Sequence, residues 1–293
     1  MSAHAPSAGP EVVADYGCLC GEGPVWHPIE KKLYWLDIPK GQMYRYDQAT
    51  RTHEPSFTYA GQIGGYTVQV DGSLLLFLDK GGVKVLSNGQ LTTLFESTPG
   101  EENARFNDVI ADPRGRVLCG TLPADDHKGS LYRLDTNLKL TKLLDGISCS
   151  NGMGFTPDRR GLYFIDSPTR EVALFDYDES SGEISGKRVF VQLPESLGVP
   201  DGMTVDAKGC PWVAVWGGGC LIRYTPEGRE DRRVYFNAKL VSSAIFGGDD
   251  YADTYVTTAG GDNKKENGTG AGALFKVRTG FKGVAEFFSR VGL

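Results

Sequence analysis

The sequence predicts an all-β fold, a six-bladed β-propeller with four-stranded blades around a central channel. Three observations carry that prediction. Two stretches, "NGMGFTPDRRGLYFID" from Asn151 and "DGMTVDAKGCPWVAV" from Asp201, read almost as copies: an amide or carboxylate residue, then Gly-Met, a polar turn and an apolar run. The same template returns along the chain at intervals of about 40 to 50 residues, the period of propeller blades. Strand-sized segments rich in β-branched and aromatic residues, such as "KLYWLDI", "GLYFIDS" and "DTYVTTA", fill the intervals between Gly, Asp and Pro turns. No long amphipathic helical pattern interrupts them, which disfavours a parallel sheet covered by helices.

Taken in order, the first repeat opens near Glu22 with "GEGPVWHPIEKKLYWLDIPKGQMYRYD". The second opens near Gly64 ("GGYTVQVDGSLLLFLDKGGVKVLS") and the third near Phe106 ("FNDVIADPRGRVLCGTLPADDHKGSLYRLD"). The two copied stretches are the fourth and fifth, continuing into "EVALFDYDESSG" and "CLIRYTPEG". The sixth runs from Ser242 through "SSAIFGGDDYADTYVTTAGG" to "GALFKV". "DG" at Asp71-Gly72, "PRG" and "AKG" supply short hairpin connections. Residues 1–14 are expected to form an N-terminal segment that is flexible or closes the ring as a strand, and residues 15–293 one propeller domain.

Composition narrows the function classes. A net charge of -6, with no basic cluster free of acids, argues against a nucleic-acid partner. The start "MSAHAPSAGPEVV" has neither a basic nor an apolar region of a secretory signal, and the longest apolar runs are strand-sized. A soluble, cytoplasmic protein without membrane association is expected; the oligomeric state is left open. Six cysteines include no C-x2-C pair of a structural zinc site; they read as small hydrophobes.

In a propeller the first strand of each blade lines the channel, so residues at one phase of different repeats converge. At that phase stand Glu22, Gly64 and Gly65, Asn107, Asn151, Asp201, and Ser242 or Ser243. Four of the six blades thus offer a carboxylate or amide oxygen to one place. Such an all-oxygen set suits Ca²⁺, Mg²⁺ or Mn²⁺, and can accept Zn²⁺ or Fe²⁺ with waters. Capping of turns by Asx-Gly is the competing explanation for any one of them. The histidines, His4, His27, His53 and His127, share no ligand spacing; His27 in "WHP" reads as a surface or turn residue.

The motifs "GEGPVW", "RFNDV", "SNGMGFTPD", "PDGMTVDAKGCPWVAVWGGG" and "FGG…YVTTA" resemble, in order and across nearly the whole chain from about Cys20, those of the SMP-30/gluconolactonase/LRE family. That family includes sugar lactonases, regucalcin and luciferin-regenerating enzymes, and its fold is a six-bladed propeller. The resemblance implies one divalent metal ion held by Glu22, Asn151 and Asp201. It implies substrate contacts at Arg105 and Asn107 and, in the loop "LPADDHKG", at Asp125. Family members often carry Glu at this last place. An ion pair to Glu101 or Glu102 is the structural alternative for Arg105, and an ordinary exposed loop the alternative to a lid at "PADDHKG". Trp26, Trp212 and Trp216 are expected between blades, with Trp216 able to flank the channel mouth.

The chemistry expected of such a site is hydrolysis of an aldonolactone (glucono-, xylono- or arabinolactone type) to the sugar acid. The metal polarises the carbonyl, and Asp201 is the catalytic residue that assists water, as base or by steering it. A carboxylate on a metal is a weak base, so Asp125 is a further candidate. The alternatives are a calcium-binding regulatory protein of the regucalcin type, or a hydrolase of another ester in the same site. No G-x-S-x-G elbow and no glycine-rich phosphate loop followed by a helix occurs.

Overall fold

In the computed structural model, which describes residues 9–293, the repeats become six antiparallel sheets of four strands each. Strand β1 (Glu11–Asp15) precedes the first repeat. Blade 1 holds β2 (Gly21–His27), β3 (Lys32–Asp37), β4 (Gln42–Asp47) and β5 (Thr52–Thr58). Blade 2 holds β6 (Ile63–Val68), β7 (Leu74–Leu78), β8 (Val83–Ser87) and β9 (Gln90–Phe95). Blade 3 holds β10 (Phe106–Ala111), β11 (Val117–Thr121), β12 (Gly129–Leu134) and β13 (Leu140–Ile147). Blade 4 holds β14 (Ser150–Phe155), β15 (Gly161–Asp166), β16 (Glu171–Tyr177) and β17 (Ile184–Gln192). Blade 5 holds β18 (Val199–Val205), β19 (Pro211–Trp216), β20 (Cys220–Tyr224) and β21 (Glu230–Tyr235). Blade 6 holds β22 (Val241–Gly247), β23 (Asp253–Thr258) and β24 (Ala273–Val277), and β1 completes it.

The ring is closed by β1 lying antiparallel on β24, with Glu11 opposite Lys276 and Asp15 opposite Ala273. Of the segment expected over 1–14, residues 1–8 lie outside the described residues, as do His4 and most of the stretch read for a signal peptide. Among the described residues the only helices are three short 3₁₀ turns, and none is long and apolar enough to cross a membrane.

The core is divided among the six seams between blades, and the two-residue period of a strand does the dividing. On β3, Leu33 and Trp35 face blade 6, whereas Tyr34 and Leu36 face blade 2. On β7, Leu74, Leu76 and Leu78 join blade 1, while Leu75 and Phe77 join blade 3. On β19, Val213 and Val215 face blade 4, and Trp212 and Ala214 face blade 6. Strands covered on both sides are therefore apolar at every position, which is why "SLLLFL" and "PWVAVW" lack alternation.

Each inner strand carries a register shift close to its start, as between Glu22 and Val25, Phe106 and Val109, Ser150 and Met153, and Pro200 and Met203. Such bulges bend the strand and re-aim side chains. They turn the leading residue of the repeat toward the axis. The glycine that follows has a packing reason. A Cβ on Gly152 would sit 2.6 Å from the Asp201 carbonyl oxygen of the next inner strand, and one on Gly202 would collide with Ser243. Asx-Gly at these places is thus set by the approach of neighbouring inner strands.

After β24 the chain runs beneath the ring, at the end of the inner strands away from their leading residues. The Lys282 carbonyl accepts from Ala207 N–H at 2.9 Å, and Gly283 N–H donates to Tyr251 at 2.9 Å. Ser289 exchanges bonds with Val68 and Val70, Arg290 N–H donates to Gly115, and Gly292 N–H to Thr136. Phe281, Phe287, Phe288 and Val291 each enter a different seam.

Of the surface or turn role expected for His27, the structure keeps the turn and not the surface. Only 1% of it is exposed. Its Nε2–H donates to the Gly72 carbonyl at 3.1 Å and its Nδ1 accepts from Glu30 N–H at 3.2 Å, so it ties the lower turns of blades 1 and 2. All six cysteines are free thiols, with Cys119 and Cys210 buried in blades 3 and 5.

Candidate active site

The leading residues of four inner strands meet at the upper mouth of the channel. They line a cavity of about 530 Å³ with Glu22 from β2, Asn107 from β10, Asn151 from β14 and Asp201 from β18. Arg105, just before β10, joins them. Blades 2 and 6 bring no side chain to this cavity. Gly64 packs against the Phe106 carbonyl, and Ser242 is buried with its hydroxyl donating to the Gly21 carbonyl. Apolar walls come from Ile38, Leu122, Pro168, Val199 and Trp216. Trp26 and Trp212 are inter-blade core, as expected, and Trp216 flanks the mouth.

Polar groups in the cavity form one chain. Arg105 Nη1 donates to Asn107 Oδ1 at 2.8 Å and to the Phe106 carbonyl at 2.9 Å. Asn107 Nδ2 donates to the Ser150 carbonyl at 2.7 Å and to Asn151 Oδ1 at 3.2 Å. Asn151 Nδ2 in turn donates to Ser167 Oγ at 2.8 Å, which fixes its amide with the oxygen turned to Asn107. Arg105 makes no ion pair with Glu101 or Glu102 among the described residues. Glu101 is instead held by Tyr132 Oη at 2.6 Å and by His127.

Glu22 and Asp201 are 5% and 6% exposed and neither forms an ion pair among the described residues. Burial pushes both carboxyls well above the usual carboxylate range, and the Asp201 charge raises Glu22 further. A third carboxylate contributes to both: Asp108, the residue after Asn107, is itself pushed up to about 7 by burial. Asp108 was not singled out by sequence reasoning. The bulge in β10 lets consecutive residues reach the axis, Asn107 into the upper cavity and Asp108 into the channel below. Its signal was its place inside "RFND".

Asp125 is not brought to this cavity. It is exposed on the loop between β11 and β12, and that loop reaches the cavity through Leu122 alone, whose N–H donates to the Arg105 carbonyl at 3.0 Å.

The donor set fits a hard divalent cation. Two buried carboxylates and an amide oxygen converge from three blades, where like charges in a poorly solvated place are costly without a positive partner. Among the described residues no group of three His, Cys, Asp or Glu side chains is placed to hold a metal ion, so a cation here would draw on the Asn151 amide oxygen beside the two carboxylates.

The chain is similar in sequence and in fold to known proteins. A model of the SMP-30/gluconolactonase/LRE-like region matches residues 20–260. The pentonolactonase XacC of Haloferax volcanii is 46% identical over 96% of this chain and 98% of its own. Human regucalcin is 34% identical over 94% of this chain and 97% of its own. The crystal structure of a calcium-binding regucalcin from Agrobacterium tumefaciens superposes with a TM-score of 0.89 at 26% identity, covering 99% of this chain and all of that one.

Proposed function

The chain belongs to the SMP-30/gluconolactonase/LRE-like family, and from that premise we propose that it hydrolyses a sugar lactone to the open sugar acid at the upper mouth of its channel. The carrying observation is the convergence of Glu22, Asn107, Asn151, Asp201 and Arg105 on one cavity of about 530 Å³, a size suited to a small ligand. The pentonolactonase relative makes five-carbon lactones the first substrates to test.

In this reading Glu22, Asn151 and Asp201 hold one divalent ion. Their oxygens favour Ca²⁺, Mg²⁺ or Mn²⁺, with Zn²⁺ and Fe²⁺ tolerated. When bound, the ion supplies a Lewis acid for the lactone carbonyl. Arg105 and Asn107 orient the ring. Arg105 keeps donors beyond the two it spends on Asn107 and the Phe106 carbonyl, and a rigid guanidinium fork suits lactone hydroxyls and the carboxylate of the product. Asp201 takes the proton of the attacking water through whichever carboxylate oxygen the ion leaves free, or steers that water. Walls of Trp216, Val199 and Ile38 keep bulk water from the opposite side of the ring.

The test is proton release from five- and six-membered aldonolactones, corrected for spontaneous opening, before and after chelation and with single divalent metals restored. Chelator-sensitive turnover is expected, and Asp201→Asn should reduce kcat by about 10²–10⁴-fold. No acceleration by folded protein with any metal would sink the reading. If chelation then merely lowered Tm, the calcium-binding alternative would stand.

A further inference from the structure

Blades 1 and 4 carry the same turn at the upper rim, and the last of the three positions at which the two turns differ points to a residue that the site as described does not use. In blade 1 "DIPKG" makes a 3₁₀ turn after β3; in blade 4 "DSPTR" makes the same turn after β15. Asp37 and Asp166 play equal parts, each accepting from two backbone N–H groups before the inner strand: Leu19 and Cys20, and Ser148 and Cys149. Both turns end in a left-handed residue. In blade 1 it is Gly41, at φ 56 and ψ 26; in blade 4 it is Arg170, at φ 60 and ψ 16. Glycine adopts that conformation freely, and a long side chain does not. Of the eight non-glycine residues with positive φ among those described, Arg170 alone lines the cavity.

The side chain is also unusual in its company. Among the described residues it has no carboxylate partner. Its Nη1 donates to the Gly198 carbonyl across the seam to blade 5, beside Val199 and Trp216 of the cavity wall. Its other donors have no protein acceptor among the described residues. A charged group held in a strained backbone, anchored at one edge and free at the other, on the rim of a ligand cavity, is arranged to meet a ligand.

We propose that Arg170 is a specificity-determining residue of this site, donating to a hydroxyl on the part of the lactone remote from its carbonyl. The inference rests on the lactonase reading. Arg105 from blade 3 and Arg170 from blade 4 then bracket a polyhydroxylated substrate, and a lactone without hydroxyls has nothing to offer the second arginine.

The test compares the best aldonolactone with unsubstituted γ-butyrolactone and δ-valerolactone, using the metal-loaded protein and Arg170→Gly, Arg170→Gln and Arg170→Lys. Arg170→Gly restores the blade 1 arrangement, so folding is retained, as Tm will verify. The ratio of kcat/KM for hydroxylated over unsubstituted lactone is expected to fall about 10–100-fold in Arg170→Gly, mostly through KM, as for loss of a charged hydrogen bond. Arg170→Gln, which removes the charge and shortens the side chain, should lose most of the ratio, and Arg170→Lys should recover part of it. A ratio within twofold of the unaltered protein in Arg170→Gly and Arg170→Gln would overturn the inference and leave the lactonase reading intact. No lactone hydrolysis by the unaltered protein would overturn both.

Discussion

Glu286→Gln tests whether the lower end of the channel is as poorly solvated as the packing implies. Glu286 lies on the C-terminal run beneath the ring and lines the channel with Asp108, Met153, Met203 and Phe287. It has no ion-pair partner among the described residues, and burial pushes its carboxyl from 4.5 up to about 7. A raised folded-state pKa means that the folded protein binds this proton more tightly than the unfolded chain. Stability linked to it is therefore full below the unfolded pKa and lost as pH rises through about 7. At 1.36 kcal/mol per pKa unit the loss is at most ~3 kcal/mol, and the part of the side chain that remains exposed reduces it to about 1–3 kcal/mol. Glutamine carries no charge at any pH. Thermal unfolding from pH 4 to 9, with chelator throughout so that metal occupancy stays constant, should show the variant gaining about 2–5 °C over the unaltered protein at pH 8–9. The gain should shrink to nothing near pH 4. A Tm difference that is the same at both ends, or a variant less stable at pH 9, would refute the argument.

Two further outcomes follow from the packing. Val291, fully buried between blades 2 and 3, should cost about 1.5–3 kcal/mol when changed to Ala, measured by urea unfolding; a loss under about 0.5 kcal/mol would mean that the C-terminal run merely rests on the ring. Burial raises every cysteine thiol, Cys18 and Cys149 to about 12, so the native, chelated protein should react with iodoacetamide at pH 8 far more slowly than the urea-unfolded chain; rapid native labelling of Cys20 or Cys149 would contradict this.

What was legible in the sequence was whatever a strand records locally. The six repeats near Glu22, Gly64, Phe106, Asn151, Asp201 and Ser242 are the six inner strands, because every blade must present the same turns and the same apolar surfaces to its neighbours. The leading oxygens were legible for the same reason: one phase in each repeat faces the axis. Only the tertiary structure decided which neighbours share that axis. A bulge breaks the simple alternation and sends both Asn107 and Asp108 inward, and no periodicity announces it. Arg170 takes a glycine's place in a turn, which shows only when blade 4 is laid over blade 1. Asp125 sits in the expected loop yet stays outside the cavity, since a loop's reach depends on how its backbone is tied and not on its place in the chain. The run after Val277 has no strand pattern, because its residues answer to four different seams in turn. Local chemistry writes the period of the strands into the chain; the closing of the ring brings distant residues together, and that is a property of the whole.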